Sequence, residues 1–291
     1  GSMAIWLRAL AAVGLTAGLA GSVAWASGGH AVLLAGVSAT VWIACLAFAI
    51  NGIAWVPAAI WRTERFFDAV GALTFLSVVG AAVAVGPGVG RGWLLAGAVA
   101  VWALRLGSFL LRRVMADGRD GRFDSLKQHP GRFLVPWTLQ ALWATAVALP
   151  VVVVATDARA PALGWVDGVG LALWALGFAL EVVADGQKSA FRAKFGNRGR
   201  FIQHGLWAWS RHPNYFGEIL LWTGLCVAAS GSFTGGQWVA WVSPLLTALL
   251  LTRVSGIPLL EARAEERWGE EPGYREYVAN TPVLVLWPPR R

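Results

Sequence analysis

Several stretches of this chain run for the length of a membrane-spanning helix without a charged side chain, and this pattern constrains the fold more than any other feature. The core of a bilayer is about 30 Å thick and takes about 20 apolar residues of helix. Hydrophobic residues make up 57% of the 291 residues and the mean hydropathy is +0.58, which is more apolar surface than a soluble fold of this size could hide. The sequence therefore predicts an all-α, polytopic integral membrane helix bundle.

Apolar run lengths predict seven to eight transmembrane helices. The uncharged run 219–252 is too long for one ordinary helix and contains Ser230-Gly231-Ser232 and Gly235-Gly236, so we divide it in two. Seven spans result if the first two runs form one interrupted unit. The predicted spans are 9–29, 31–61, 71–86, 93–111, 133–156, 163–180 and the two parts of 219–252.

The placement of Lys and Arg predicts the orientation. With eight spans, almost all basic loops share one face and only Arg91 and Arg159 lie opposite, so the basic face is cytoplasmic and both termini are expected there. This rule also explains the net charge of +8, and no nucleic-acid partner is expected. Cys45 and Cys226 are isolated in apolar runs, so neither a disulfide framework nor a metal site is predicted. We expect one domain, 1–291, with N-terminal spans over 1–61 and the main body over 62–291.

The densest polar stretch is residues 184–222, between two apolar runs. Asp185 and Arg192 are seven residues apart and would share a helix face, and Arg200 follows after a turn punctuated by glycine. Guanidinium groups aimed at one crevice suit a phosphate, including a ribose 2′-phosphate. For any single cation, topology or a lipid headgroup is the alternative explanation. Because no GxGxxG fingerprint precedes a helix here, a dinucleotide would have to bind without a Rossmann fold.

Three ionisable residues in or beside apolar spans are further candidates. Arg105 lies inside the predicted fourth span, where it either snorkels, pairs with a carboxylate or contacts a cofactor. Glu64 and Asp68 are one helical turn apart before the third span, where helix capping is the alternative role. A carboxyl group shielded by lipid-exposed helices tends to stay protonated and could donate a hydrogen bond to a ligand carbonyl. We expect this role for Glu64.

The octet Arg211-His212-Pro213-Asn214-Tyr215-Phe216-Gly217-Glu218 opens the next apolar run and offers donors and acceptors near the membrane surface. Proline is typical of a helix start, which places the octet at the beginning of a helix. The tail that follows carries Arg253 and Glu261 and predicts an amphipathic helix.

The segments SRHPNYFGEILLW and EARAEERWGEEPGYREYV resemble the C-terminal region of the steroid 5-alpha-reductase family and its bacterial relatives. The resemblance runs from about Arg62 to Pro288. It implies a membrane-embedded oxidoreductase in which NADPH enters from the cytoplasm, here of a bacterial inner membrane, and reduces the carbon–carbon double bond of a steroid enone. It further implies a steroid or sterol substrate, contact with membrane lipid and a monomer.

The resemblance also assigns residues. Glu64 falls on the family's Gln-Glu pair that holds the 3-keto oxygen, although Thr63 replaces the glutamine, and Trp102 stands where the family has a tyrosine. The predicted catalytic set is therefore Glu64 and Trp102, together with Asp68 one helical turn from Glu64, and hydride would reach C5. The resemblance implies NADPH contacts at Asp185, Arg192, Arg200, Asn214 and Arg253, and Glu218 continues the family's segment. The predicted cofactor-binding set also includes Arg105, Arg211, His212, Tyr215 and Glu261.

Other activities share part of the motif. The octet is similar to segments of sterol C14 reductases and, as RHPxYxG, of isoprenylcysteine carboxyl methyltransferases, which use S-adenosylmethionine. The upstream arginines Arg105, Arg192 and Arg200 favour a dinucleotide phosphate, because S-adenosylmethionine has no phosphate. A sterol-binding membrane protein without catalysis is the third hypothesis, since fold alone does not fix function.

Overall fold

The computed structural model describes residues 2–88 and 90–289, and its fold is the predicted all-α class. Seven described segments are long and apolar enough to cross a membrane, which supports an integral membrane protein. The helices are α1 (Ser2–Ser27), α2 (Ala39–Ile60), α3 (Phe67–Val85), α4 (Gly90–Asp117), α5 (Pro130–Thr156), α6 (Trp165–Ala193), α7 (Pro213–Ser230), α8 (Val242–Leu249), α9 (Ile257–Trp268) and α10 (Pro272–Asn280).

The seven candidate spans are α1 to α6 and the segment Gly235–Trp268, which joins a 3-10 helix (Gly235–Trp241), α8, a π-helix (Leu250–Val254) and α9. Helix α7 is not one of them, because its first turns carry the polar residues of the octet and lower its mean hydropathy. The predicted break in the run 219–252 is confirmed, since α7 ends at Ser230. A two-stranded antiparallel hairpin, β1 (Leu33–Leu34) and β2 (Val37–Ser38), precedes α2 and was not predicted.

The chain forms two compact units, Gly1–Asp167 with Ala229–Ser243, and Gly168–Ala228 with Pro244–Arg291. In the first unit α5 is the central helix and contacts α1, α2, α3 and α4. Of the residues in its apolar segment 83% are buried, against 17–39% in the other candidate spans. Because α5 is mostly apolar and the few polar side chains after its first turn, such as Gln140, are buried, it has no face that must meet water.

A polar network crosses the interior of the first unit. The Gln140 side-chain amide donates to Asn51 Oδ1 at 3.0 Å and to the Phe67 carbonyl at 3.1 Å. Asn51 in turn donates to Thr74 Oγ1 at 3.1 Å and to the Ala47 carbonyl at 2.9 Å. These contacts join α2, α3 and α5 and explain why polar side chains are tolerated there, since buried polar groups need partners.

Arg91 and Arg159, which the sequence predicts to lie apart from the other basic residues, are each paired with a buried aspartate of the first unit. Arg91 makes two bonds of 2.7 Å to Asp167, and both side chains are 4% exposed. Arg159 binds Asp157 at 2.7 Å, and hydrogen bonding lowers the pKa of Asp157 despite its burial. Both arginines therefore hold the loop between α5 and α6.

Candidate functional site

Glycines bring α6 and α7 into backbone contact in the second unit. A Cβ atom on Gly177 would lie 2.5 Å from the Gly217 carbonyl oxygen, and a Cβ atom on Gly224 would lie 2.5 Å from the Gly170 carbonyl oxygen. Gly170 and Gly177 of α6 are seven residues apart, as are Gly217 and Gly224 of α7, so the two glycines of each helix share one face. Small residues let helices approach closely where lipid gives no hydrophobic drive for association. We call these four residues the glycine seam.

The glycine seam positions the first predicted cofactor residues. Helix α6 continues beyond its predicted end at Leu180 to Ala193, so Asp185 and Arg192 lie on one helix as expected. Asn214, in the first turn of α7, donates to Asp185 Oδ1 at 3.1 Å. Asp185 is 8% exposed, so this hydrogen bond between amide and carboxylate is a buried polar contact that joins the two helices.

Four more predicted residues form a second cluster. Both Arg211 and His212 contact the Glu261 carboxylate of α9, His212 through Nε2 at 2.6 Å from Oε1. The Tyr215 ring is stacked on the His212 ring at a centroid distance of 5.7 Å. Arg211 also donates to the Thr281 carbonyl at 3.2 Å. This cluster ties the start of α7 to α9 and to the C-terminal segment.

The remaining predicted residues of the second unit differ in exposure. Arg192, Arg200 and Arg253 are exposed, whereas Glu218 is half-buried. Within the described residues Arg200 and Arg253 make no ion pair, so both guanidinium groups are available to an anion. Sequence reasoning did not single out Trp207, whose ring lies 4.5 Å from Lys188 Nζ and whose indole donates to the Ala184 carbonyl at 3.0 Å.

In the first unit, Asp68 and Trp102 line the same small cavity of about 50 Å³. Three aromatic residues form one part of its wall, where Phe75 packs edge-on against Trp102 and Trp143 at centroid distances of 4.9 Å. Gln140 lines it as well. Arg105, on the same helix as Trp102, lies over the Phe109 ring at 5.3 Å and is half-buried. The structure thus brings two of the three predicted catalytic residues together.

Glu64 is placed differently. Lys127 Nζ donates to Oε2 at 2.8 Å and the Asp120 backbone N–H donates to Oε1 at 2.9 Å. Burial raises the pKa of this carboxyl, but the hydrogen bonds from Lys127 and Asp120 outweigh it, so the pKa lies below its ordinary value of 4.5. The prediction of a protonated Glu64 is therefore wrong. Lys127 comes from a loop 63 residues away, which local spacing could not reveal.

Two missed features had a partial signal. Gln140 is visible as the polar residue of the fifth apolar run, but its place beside Asp68 depends on the packing of α5 against α3. The glycine seam is visible only as scattered glycines in a chain that has 35 of them. Both features depend on contacts between residues that are far apart in the sequence, so only the folded structure reveals them.

These features define a polytopic membrane protein of the all-α class, with a polar cluster at the start of α7 and a small aromatic cavity beside α3. Residues 54–281 match the family described as a protein of unknown function, DUF1295, and the chain belongs to that family. The match includes Glu64, the glycine seam and the octet. Searches of the curated proteins and of the solved structures gave no match.

Proposed function

We propose that this protein is an NADPH-dependent reductase that saturates the carbon–carbon double bond of a 3-oxo-4-ene steroid. DUF1295 is a family associated with proteins similar to steroid 5-alpha-reductases, and the octet carries the same resemblance. The proposal places the cofactor at the second unit, facing the cytoplasm. A steroid or sterol is the substrate class, with membrane lipid as its source.

The observation that carries the proposal is a buried hydrogen-bonded pair between α6 and α7 together with two exposed arginines that make no ion pair. The Asp185–Asn214 pair is held by the glycine seam, while Arg200 and Arg253 make no ion pair within the described ranges. Unneutralised guanidinium groups suit the phosphates of NADPH, for which S-adenosylmethionine has no counterpart. The donor set therefore fits a phosphorylated cofactor better than a sulfonium one.

Bound NADPH would supply the hydride that reaches C5 of the substrate. The protein must then stabilise the negative charge that moves to the C3 oxygen, which is an oxyanion problem. Glu64 accepts hydrogen bonds from Lys127 and Asp120, whereas Asp68 lines the cavity and has Arg122 at 3.6 Å without a hydrogen bond, so we assign this role to Asp68. Asp68 would act as a neutral acid and donate a hydrogen bond to the ketone oxygen, and C4 would then take a proton to give the saturated ketone.

The cavity is too small for a whole steroid. A volume of about 50 Å³ holds a few waters or the oxygen-bearing end of a ring system. Trp102, Phe75 and Trp143 would exclude bulk water from that end, which strengthens any hydrogen bond made there.

The test is steroid reduction by purified protein in lipid nanodiscs, with NADPH consumption and the saturated product measured together. Arg200→Ala should raise the KM for NADPH by about tenfold, because a charged phosphate partner is lost. Arg263→Ala is the matched control, since it removes another exposed arginine, on α9. Methyl transfer from S-adenosylmethionine with no enone reduction would replace the proposal by an isoprenylcysteine-type carboxyl methyltransferase. Reduction of a C14 sterol alkene alone would replace it by a sterol C14 reductase, and sterol binding without NADPH binding would leave only a binding protein.

A further inference from the structure

Gln140 lies in the wall of the cavity that Asp68 and Trp102 also line, and it is 6% exposed. Its side-chain nitrogen donates to Asn51 Oδ1 at 3.0 Å and to the Phe67 carbonyl at 3.1 Å. Its side-chain oxygen, Oε1, accepts no hydrogen bond from residues 2–88 and 90–289. Since buried acceptors normally have a donor, this oxygen is a candidate contact for a ligand.

The surrounding hydrogen bonds fix the direction in which the Gln140 amide faces. Asn51 donates to the Ala47 carbonyl at 2.9 Å and to Thr74 Oγ1 at 3.1 Å, so its own oxygen is the atom that faces Gln140. The groups beside Gln140 Nε2 are therefore both acceptors, and only an N–H group can face them. A rotated amide would set its oxygen against the oxygens of Asn51 and Phe67. Oε1 must consequently point away from both.

Oε1 points towards the face of α3 that lines the cavity. A Cβ atom on Gly71 would lie 2.7 Å from Oε1 but 3.5 Å from Nε2. Asp68, Gly71, Ala72 and Phe75 share one face of α3, and all four line the cavity. In a space of about 50 Å³, which holds only a few waters, a single ligand oxygen can lie beside both Asp68 and Gln140.

We propose that this cavity recognises a hydroxyl group on a planar apolar ring, with Gln140 Oε1 accepting the hydroxyl hydrogen and the Asp68 carboxyl donating to the hydroxyl oxygen. A hydroxyl group both donates and accepts, so it matches this pair, whereas a ketone or ether oxygen only accepts. Phe75, Trp102 and Trp143 supply apolar ring faces and edges for the rest of the ligand ring.

The place of this hydroxyl group in a reaction rests on the proposed function. As C5 gains the hydride, the C4=C5 electron pair moves to the C3–C4 bond and the carbonyl pair moves to the oxygen, which takes the Asp68 proton. The resulting enol has an O–H group that can donate to Gln140. As C4 takes a proton from solvent, the enol proton returns to the Asp68 carboxylate and the ketone forms again. Gln140 therefore makes a hydrogen bond that the bound enone lacks, and such an interaction favours the hydride step.

Calorimetry on the full chain in phosphatidylcholine nanodiscs measures binding without catalytic turnover, with empty nanodiscs titrated in parallel to subtract partitioning into lipid. The probes are estrone, whose only hydroxyl group is on its planar phenolic A ring, its 3-methyl ether and its 3-deoxy analogue. Estrone should bind the wild-type protein about tenfold more tightly than either analogue. Because the 3-deoxy analogue is smaller than estrone, its weaker binding cannot arise from a steric clash.

Gly71→Ala removes the acceptor without changing Gln140 itself. The added methyl group would lie 2.7 Å from Oε1, so it covers this oxygen or displaces the amide, and the tenfold preference for estrone should disappear. Gly80→Ala is the matched control on α3, because nothing lies within 4 Å of its methyl group, and it should keep the preference. Gln140→Met removes the amide and should also abolish the preference. If the loss of the bonds to Asn51 and Phe67 prevents folding, Gly71→Ala decides alone.

The outcomes are distinct. A preference for estrone that Gly71→Ala abolishes and Gly80→Ala retains supports the inference. An unchanged preference in Gly71→Ala and Gln140→Met overturns the role of Gln140, while the reductase proposal stands. A wild-type protein that binds the three probes equally, or binds none of them, also overturns the inference. Estrone binding that depends on Gln140, in a protein that reduces no enone, keeps the hydroxyl site and overturns the proposed reaction.

Discussion

Glu64 shows how the surroundings of a carboxyl group decide its chemistry. The side chain is 5% exposed, and burial alone would favour the protonated form that the sequence suggested. The ammonium group of Lys127 and the backbone N–H of Asp120 reverse this preference by donating to both oxygens. The ionised Glu64 carboxylate accepts a hydrogen bond on each oxygen, so it stabilises the loop after α4. Without a proton of its own it has little capacity to polarise a ketone.

Replacing Glu64 should therefore change stability before it changes chemistry. Because its folded pKa is lowered, the carboxylate stabilises the fold above the ordinary value of 4.5, and this contribution is lost as pH falls through the folded pKa. Glu64→Gln should lower the free energy of unfolding by about 1–3 kcal/mol at pH about 7. The difference from wild type should shrink at pH about 4, as followed by thermal unfolding in detergent. A variant as stable as wild type at neutral pH would contradict this role.

We expect Asp68, in place of Glu64, to donate the hydrogen bond to the ketone oxygen. Asp68→Ala should lose about 2.7 to 4 kcal/mol of transition-state stabilisation, as when one oxyanion donor is removed, whereas Asp68→Asn keeps a donor and part of the rate. Steady-state kinetics with a 4-ene-3-one steroid measure both, and NADPH affinity should hardly change. Asp117→Asn, an exposed acid at the end of α4, is the control. Full activity in Asp68→Ala would exclude the carboxyl from the reaction.

Spacing along the sequence identified the candidate site residues, but it did not identify the residues that each of them contacts. The i, i+4 spacing of Glu64 and Asp68 suggested one helix face, but α3 begins only at Phe67, and the two carboxyls have different surroundings. Asp185 and Asn214 were both predicted, because the octet and the charged end of α6 are local patterns. Their contact depends on distant glycines, so no local pattern could supply it.

At the scale of elements, the packing of α6 against α7 positions the candidate cofactor site. Gly217 is central to it, since an added Cβ would lie 2.6 Å from the Gly177 carbonyl oxygen and 2.7 Å from the Glu181 amide nitrogen. Both are backbone atoms and cannot rotate away. The helices would have to separate, which would also part Asp185 from Asn214.

Gly217→Ala should consequently destabilise the second unit by about 1–3 kcal/mol and weaken cofactor binding at the same time. Gly186→Ala is a matched control on α6, because nothing lies within 4 Å of its added methyl group and alanine favours a helix. Thermal unfolding and NADPH titration of the two variants make the comparison. Equal behaviour of the two variants would show that the glycine seam does not govern the site.

Apolar runs predicted the existence of the helices well and their ends less well. Helix α6 continues past Leu180 to Ala193, because an apolar run shows where charged residues begin and not where the helical backbone ends. The hairpin before α2 was hidden in the apolar run 31–61, where its turn at Ala35 and Gly36 has φ values of 50° and 76°. Only Gly36 hinted at that turn, since alanine rarely adopts such a conformation.

At the scale of the whole molecule, hydropathy and Lys/Arg placement make a topology prediction. Helices α5 and α6 are both candidate spans, so the loop after α4 and residues 194–200 after α6 should lie on the same side of the membrane, with the loop between α5 and α6 on the opposite side. In a variant with Cys45 and Cys226 replaced by serine, Arg119→Cys and Gly196→Cys should react with an impermeant maleimide from the same side. Ala162→Cys should react from the opposite side. Labelling of positions 119 and 196 from different sides would refute the map.

The central claim is that the second unit binds a phosphorylated nicotinamide cofactor, and equilibrium binding to the purified wild-type protein tests it most directly. NADPH, NADH and S-adenosylmethionine would each be titrated into the protein in phosphatidylcholine nanodiscs. The exposed cations predict that NADPH binds at least about tenfold more tightly than NADH, and that S-adenosylmethionine does not bind. Equal affinity for the two nicotinamide cofactors, or binding of S-adenosylmethionine without NADPH, would contradict it.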